Sequence, residues 1–250
     1  MRLLEVLEEY LSVALGRYVY AIPLGAFAAS LGAGLFGLGA AVSQVALFPG
    51  KIPTNALSVS LIFSHLIFGL VAFSLAGILA GELRSEAAFH LSLPIRREEY
   101  AAAWLAAVAW VPVALEVISP LVPVAVLDPR LVTSVVVEPL VYRAVEDALV
   151  FGTMLWVALL KRKGFVTVYG LAVILLLPML VGIALATTGA FTGQPTPLVR
   201  VLRDVLPASA SAVGAWAPGP WWEPILVAGA LAAVTQAGFV AWVGRRLEVT

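Results

Sequence analysis

The 250-residue chain contains no cysteine, which excludes disulfides and thiolate metal sites. Charged residues are scarce, at 12%, where a soluble domain carries roughly a quarter. So little polar material cannot cover a water-soluble surface. Formal net charge is zero, so there is no basic footprint for a nucleic-acid partner. Only two histidines are present, which restricts general-base and metal chemistry. A phosphate-binding loop is missing too: "PGKIPT" (Pro49 to Thr54) has a Gly-Lys pair without the earlier glycine or the following hydroxyl residue. What fills the chain is apolar: 62% hydrophobic residues and a mean hydropathy of +1.02. Several runs reach the roughly 20 residues that cross a bilayer core as helix, and the short alternating segments of a membrane barrel are absent. The expected class is an all-α membrane protein.

Six spans are expected, at about 19 to 41, 56 to 79, 101 to 126, 140 to 160, 165 to 188 and 223 to 243. They form one domain over residues 1 to 250. The fourth requires Glu146 and Asp147 near one interface, within helical reach of Arg143. Before the first span, residues 1 to 18 place Leu3, Leu4, Leu7, Leu11 and Ala14 at helical spacing, with Glu5, Glu8 and Glu9 on another side. That pattern suits a helix lying in the membrane interface, and the glutamates do not suit a cleaved signal. Ten of the 15 Lys and Arg residues fall in the N-terminal segment, the loops after spans two and four and the C-terminal tail; five fall in the alternate loops. The positive-inside rule therefore places both termini in the cytoplasm, with the chain in the cell membrane. Residues 188 to 222 are then external. Within them "PLVRVLRDVL" (Pro197 to Leu206) reads as a short helix, and "APGPWW" (Ala217 to Trp222) as a break before two interfacial tryptophans, so the segment is a candidate to dip back into the bilayer. Gly25, Ala29, Ala33, Gly37 and Ala41 form a small-residue stripe that lets another helix approach closely.

Enzymatic chemistry finds little support. "EPLVYR" (Glu138 to Arg143) shares part of a motif with CAAX-protease-like intramembrane proteases, but Pro139 replaces the second glutamate. Both histidines, His65 and His90, lie upstream of where that family needs them. His65 and Glu116 are the ionisable groups placed within spans, and they are candidates for a translocation path. As two isolated groups they make no metal site. Pro112, Pro120 and Pro123 in span three and Pro178 in span five are expected to kink their helices.

Charge concentrates in one place, "GELRSEAAFHLSLPIRREEY" (Gly81 to Tyr100). Topology accounts for Arg96 and Arg97, and helix initiation for Glu98 and Glu99. Neither accounts for the order of residues. Between Glu82 and Leu93 there is room for a short helix that Pro94 ends. Leu93, Pro94, Ile95 and Arg97, followed by an acidic residue, resemble the signature before the third span of ABC type-2 exporter permeases. Arg96 stands where that family usually has a hydroxyl residue. The interfacial N-terminal helix, six spans, cytoplasmic termini, long external segment and closing "GRRLEV" (Gly244 to Val249) are similar to that family across nearly the whole chain.

The resemblance implies a membrane permease subunit of an ATP-driven transporter, an exporter, paired with a second permease copy. It docks two copies of a cytoplasmic ABC ATPase, which bind the ATP and Mg that this chain does not. The chain is then a transport subunit and not an enzyme. A cytoplasmic coupling helix would seat in the ATPase, with Phe89, Leu91 and Leu93 as its apolar centre, Pro94 as its stop, and Glu82, Glu86, Arg96 and Arg97 as a polar rim. Two alternatives stand beside it: a proton-coupled secondary carrier using His65 and Glu116, and a non-transporting membrane scaffold.

Overall fold

A computed structural model describes residues 24, 25, 27, 28, 31 and 32, all helical, together with 54–85, 96–127, 134–187, 196–212 and 220–246. The interfacial helix expected at 1 to 18 lies outside the described residues, as does nearly all of the small-residue stripe of span one. Every described element is helical. Helix α1 is Thr54–Ser85. Helix α2 runs as Arg97–Leu105, a π-turn Ala106–Trp110, and Val111–Leu127. Helix α3 is Ser134–Ala158, and α4 runs as Lys163–Leu171, a π-turn Ala172–Leu176, and Leu177–Thr187. Two short helices, α5 (Pro197–Val205) and α6 (Pro207–Ala212), precede α7 (Trp222–Arg246).

Among the described residues, four stretches are long and apolar enough to cross a membrane: Ser64–Arg84, Arg97–Ser119, Lys163–Val181 and Trp222–Arg245. They overlap the spans expected second, third, fifth and sixth, with ends shifted by up to eight residues. Helix α3 has the length but carries Glu138, Arg143, Glu146 and Asp147. Its surroundings explain how those charges are accommodated, because α1, α2, α4, α6 and α7 all pack on it. The interior is mostly apolar but also encloses charge, while large apolar side chains face outward. Leu175, Leu176, Met179, Leu180 and Ile183 of α4 and Leu226 and Val234 of α7 are exposed, whereas His65, Glu116, Arg143, Glu146 and Asp147 are buried. Continuous exposed leucine on helices that bury carboxylates fits a hydrocarbon solvent.

Inside lipid, helices gain little from burying apolar surface against each other, so close fit has to hold them. The α1–α4 pair shows how. A Cβ added at Gly69 would lie 2.9 Å from Ile174 Cγ1 on α4, and one added at Gly170 would lie 2.5 Å from Phe73 Cβ on α1. Each helix thus offers a glycine to the other's bulky side chain. The two π-turns answer the prolines anticipated in these helices. Each ends two residues before a proline, Trp110 before Pro112 and Leu176 before Pro178. Proline lacks the N–H and clashes with the carbonyl four residues back. The wider turn relieves that clash, with Val111 N–H donating to Ala106 O and Leu177 N–H to Ala172 O.

The two ends of the bundle differ. At one end α1 finishes beside the start of α4, with the Lys163 side chain lying over Gly81, and α7 finishes beside the start of α2, with Gly244 against Glu98. Arg84, Arg96, Arg97, Arg162, Lys163 and Arg245 are exposed there. The described basic segments, at the end of α1, the turn after α3, the start of α2 and the end of α7, therefore gather at a single end. At the other end Tyr142 Oη donates to Trp221 O at 3.0 Å, and Arg203 of α5 bonds Glu223 of α7 at 2.8 Å. Trp221 and Trp222 are half-exposed at that level, as an aromatic belt would be. Helix α5 forms where a short helix was expected, started by Thr196, whose hydroxyl accepts from Val199 N.

Candidate functional site

The first site assembles from helical spacing on α3. Arg143, Glu146 and Asp147 stand at i, i+3 and i+4, so they share one face. Arg143 Nη1 lies 3.5 Å from Glu146 Oε1 and 3.9 Å from Asp147 Oδ1. The sequence anticipated this pairing. The partners from other helices were not visible in it. His65 on α1 brings Nδ1 to 3.0 Å from both oxygens of Asp147 and to 4.0 Å from Glu116 Oε1 on α2. His65 and Glu116, two isolated groups by sequence, are joined through Asp147, and the ligand-capable atoms of all three lie within 4.8 Å of one another. That corrects the expectation that they cannot form a metal-ligating set.

Hydroxyl groups fix the helices around this cluster. Ser64 Oγ donates to the Glu116 carbonyl at 3.4 Å and lies 3.3 Å from Ser119 Oγ, which ties α1 to α2. Glu146 turns toward α6, where it accepts from Ser209 N at 2.9 Å and from the Ser209 hydroxyl. The segment between α4 and α7 therefore folds back on the bundle and closes the cluster from the tryptophan-rich end. Asp147 lies five residues beyond Tyr142, about 7 Å deeper along α3. All five ionisable groups are 4% exposed or less. Even so, His65 Nε2, Glu116 Oε1 and Oε2, Asp147 Oδ1, and Arg143 Nε and Nη1 have no hydrogen-bond partner. Buried polar atoms are usually satisfied, so this concentration of unsatisfied ones calls for an occupant or a second state.

The second site is the basic end. A cleft of about 1110 Å³ opens between α1 and α4, lined by Arg84, Lys161, Arg162, Lys163 and Phe165 among others. Arg162 lies over the Phe165 ring, 5.6 Å from its centroid. The turn from α3 to α4 is tight, and Lys161 takes a left-handed φ of 56°. Across the gap to α2, the helix restarts at Arg97, and Arg96 N donates to Glu99 Oε2 at 3.1 Å, half of a capping box. This is the helix-starting role expected of the glutamates.

Of the residues assigned to ATPase coupling, Glu86, Phe89, Leu91, Leu93 and Pro94 lie outside the described residues. Arg96 and Arg97 are exposed, as a rim requires. Glu82 departs from that expectation: it is 7% exposed and accepts a long hydrogen bond, 3.5 Å, from Tyr100 Oη. Its place is between α1 and α2, because a carboxylate at the end of a closely packed helix is held by the nearest donor and not by solvent. No family model, curated protein or solved structure matches this chain.

Proposed function

We propose that this chain is the membrane-spanning permease subunit of an ATP-driven ABC exporter, moved by a separate ATPase that docks on the coupling loop at residues 81–100. The observation that carries this reading is the anchoring of both flanks of that segment. Tyr100 ties the start of α2 to Glu82 at the end of α1, and Glu98 packs on Gly244 at the end of α7. A push on a loop held at such tethered ends reaches three helices at once, which is what a lever requires. The exposed arginines beside it and the basic turn at 161–163 support placing this end in the cytoplasm. Helix α3 completes a crossing of its own, its charges shielded by its neighbours. The polar cluster beneath α6 then lies toward the outer end of the bundle.

The test uses the chain reconstituted in proteoliposomes with its ATPase. Replacing Leu93→Ala and Arg97→Ala together should abolish transport-coupled ATP hydrolysis while leaving expression intact; unchanged coupling would sink the assignment. The buried cluster also favours a second reading, a proton-coupled carrier using His65 and Glu116. Transport that persists in ATP-depleted vesicles under an imposed proton gradient would favour that carrier over the ATPase-driven one.

A further inference from the structure

The formal charges of the buried cluster do not balance. Arg143 faces Glu146, and those two neutralise each other. With a neutral imidazole, Glu116 and Asp147 remain as two carboxylates in a region that excludes water, each with at least one oxygen lacking any hydrogen bond. Carboxylates at their ordinary pKa are ionised near neutral pH, and a pair of uncompensated negative charges cannot stay buried. Two additions restore neutrality. One is a pair of protons, on Glu116 and on His65; the other is a single dication.

Geometry favours the dication. Three helices, α1, α2 and α3, each contribute one ligand-type side chain to the same point, and their donor atoms lie within 4.8 Å of one another. Donors bound to a transition metal at about 2.1 Å stand roughly 3.0 to 3.4 Å apart for right-angled to tetrahedral arrangements. His65 Nδ1 is 3.0 Å from both Asp147 oxygens, and Glu116 Oε1, at 4.0 Å, needs only a small swing inward. Glu116 is the independent sign of an occupant. Its side chain is 1% exposed and aimed into the cluster, and neither oxygen meets a hydrogen-bond donor, since the group beside it is the Asp147 carboxylate, another acceptor. Arg143 lies closer to Glu146, at 3.5 Å, than to Asp147 Oδ1, at 3.9 Å, and Oδ1 is also the oxygen 3.0 Å from His65 Nδ1.

We propose that His65 Nδ1, Glu116 and Asp147 bind one divalent transition-metal cation, a resident ion that clamps α1, α2 and α3 together beneath α6. One imidazole nitrogen and two carboxylates suit zinc, manganese or ferrous iron. Calcium and magnesium prefer oxygen alone, and cuprous copper prefers sulfur. Bound in this way, His65 carries its proton on Nε2. The ion occupies a position that water does not reach, so it is taken up during folding and exchanges slowly. This inference stands apart from the ATPase-driven reading, since a carrier or a scaffold would hold the same ion.

The test is elemental analysis of the full-length chain purified in detergent and washed with EDTA, before and after denaturation, for wild type, Glu116→Gln and Asp147→Asn. Wild type should retain about one equivalent of zinc, manganese or iron per chain through the wash and release it on denaturation. Each variant should lose about tenfold or more of that content. Cobalt supplied during growth should give visible d–d absorption in wild type and none in Glu116→Gln. Folded wild type with no stoichiometric metal would overturn the proposal, whether or not the variants fold. So would a Glu116→Gln protein that melts at or above the wild-type temperature, because that result identifies protons as the occupants.

Discussion

Replacing Arg143 by leucine removes the one fixed positive charge from a group of three buried carboxylates. At an effective dielectric of about 20, contacts of 3.5 Å to Glu146 and 3.9 Å to Asp147 correspond to gross attractions of about 5 and 4 kcal/mol. Stripping water from the ions costs several kcal/mol each, so the intact group contributes little net stability. Breaking it is another matter: Glu146 and Asp147 keep their desolvation cost and lose their counterion. Arg143→Leu should therefore destabilise the protein by about 3–5 kcal/mol. If uncompensated charge is the cause, Glu146→Gln in the same chain should recover about half of that loss or more, since glutamine still offers a carbonyl to Ser209 N. The assay is reversible unfolding in mixed micelles by denaturing detergent, followed by tryptophan fluorescence. A cost of Arg143→Leu under about 1 kcal/mol, or a double variant no more stable than the single one, would refute the reasoning.

The same assay checks the remaining contacts. Gly170→Leu should cost about 1–3 kcal/mol, because even its Cβ would meet Phe73 and α4 must move off α1. Gly77→Ala, with nothing within 4 Å of the added carbon, should be neutral or stabilising by up to about 1 kcal/mol. Arg203→Ala should cost less than about 1 kcal/mol despite two close carboxylates, since Glu223 is 44% exposed and its pair is screened by water. A loss as large as that predicted for Arg143→Leu would mean that α5 anchors the bundle far more tightly than an exposed ion pair can.

Most of the helices can be read in the sequence because hydrocarbon thickness and apolar run length are the same constraint. The four long apolar stretches overlap expected spans, and α5 begins at Pro197 as "PLVRVLRDVL" suggests. Within α3 the Arg143 pairing is equally legible, since i, i+3 and i+4 spacing is local geometry. What joins His65 to Asp147, 82 positions away, is the rotation of three helices about their axes, and that rotation is set by packing. A signal did exist: α3 is too charged to face lipid, so its carboxylates needed buried partners, and His65 and Glu116 were the buried groups in want of them. The π-turns were half legible, as Pro112 and Pro178 announced a disturbance without revealing that it would be absorbed one turn earlier. Ser209 gave no warning at all, because a hydroxyl in a polar loop has no pattern to mark it.

The account's central claim is that the coupling loop at residues 81–100 receives the force of an ATPase, and site-specific crosslinking tests it directly. The chain has no cysteine, so a single cysteine replacing Phe89 can carry a photoreactive crosslinker without ambiguity. In native membranes the account predicts an adduct between this position and an ABC ATPase subunit, absent when the label sits on Val234, which faces the lipid side of α7. Labelling at Phe89 that captures no ATPase, under conditions where an ATPase co-purifies with the chain, would contradict it.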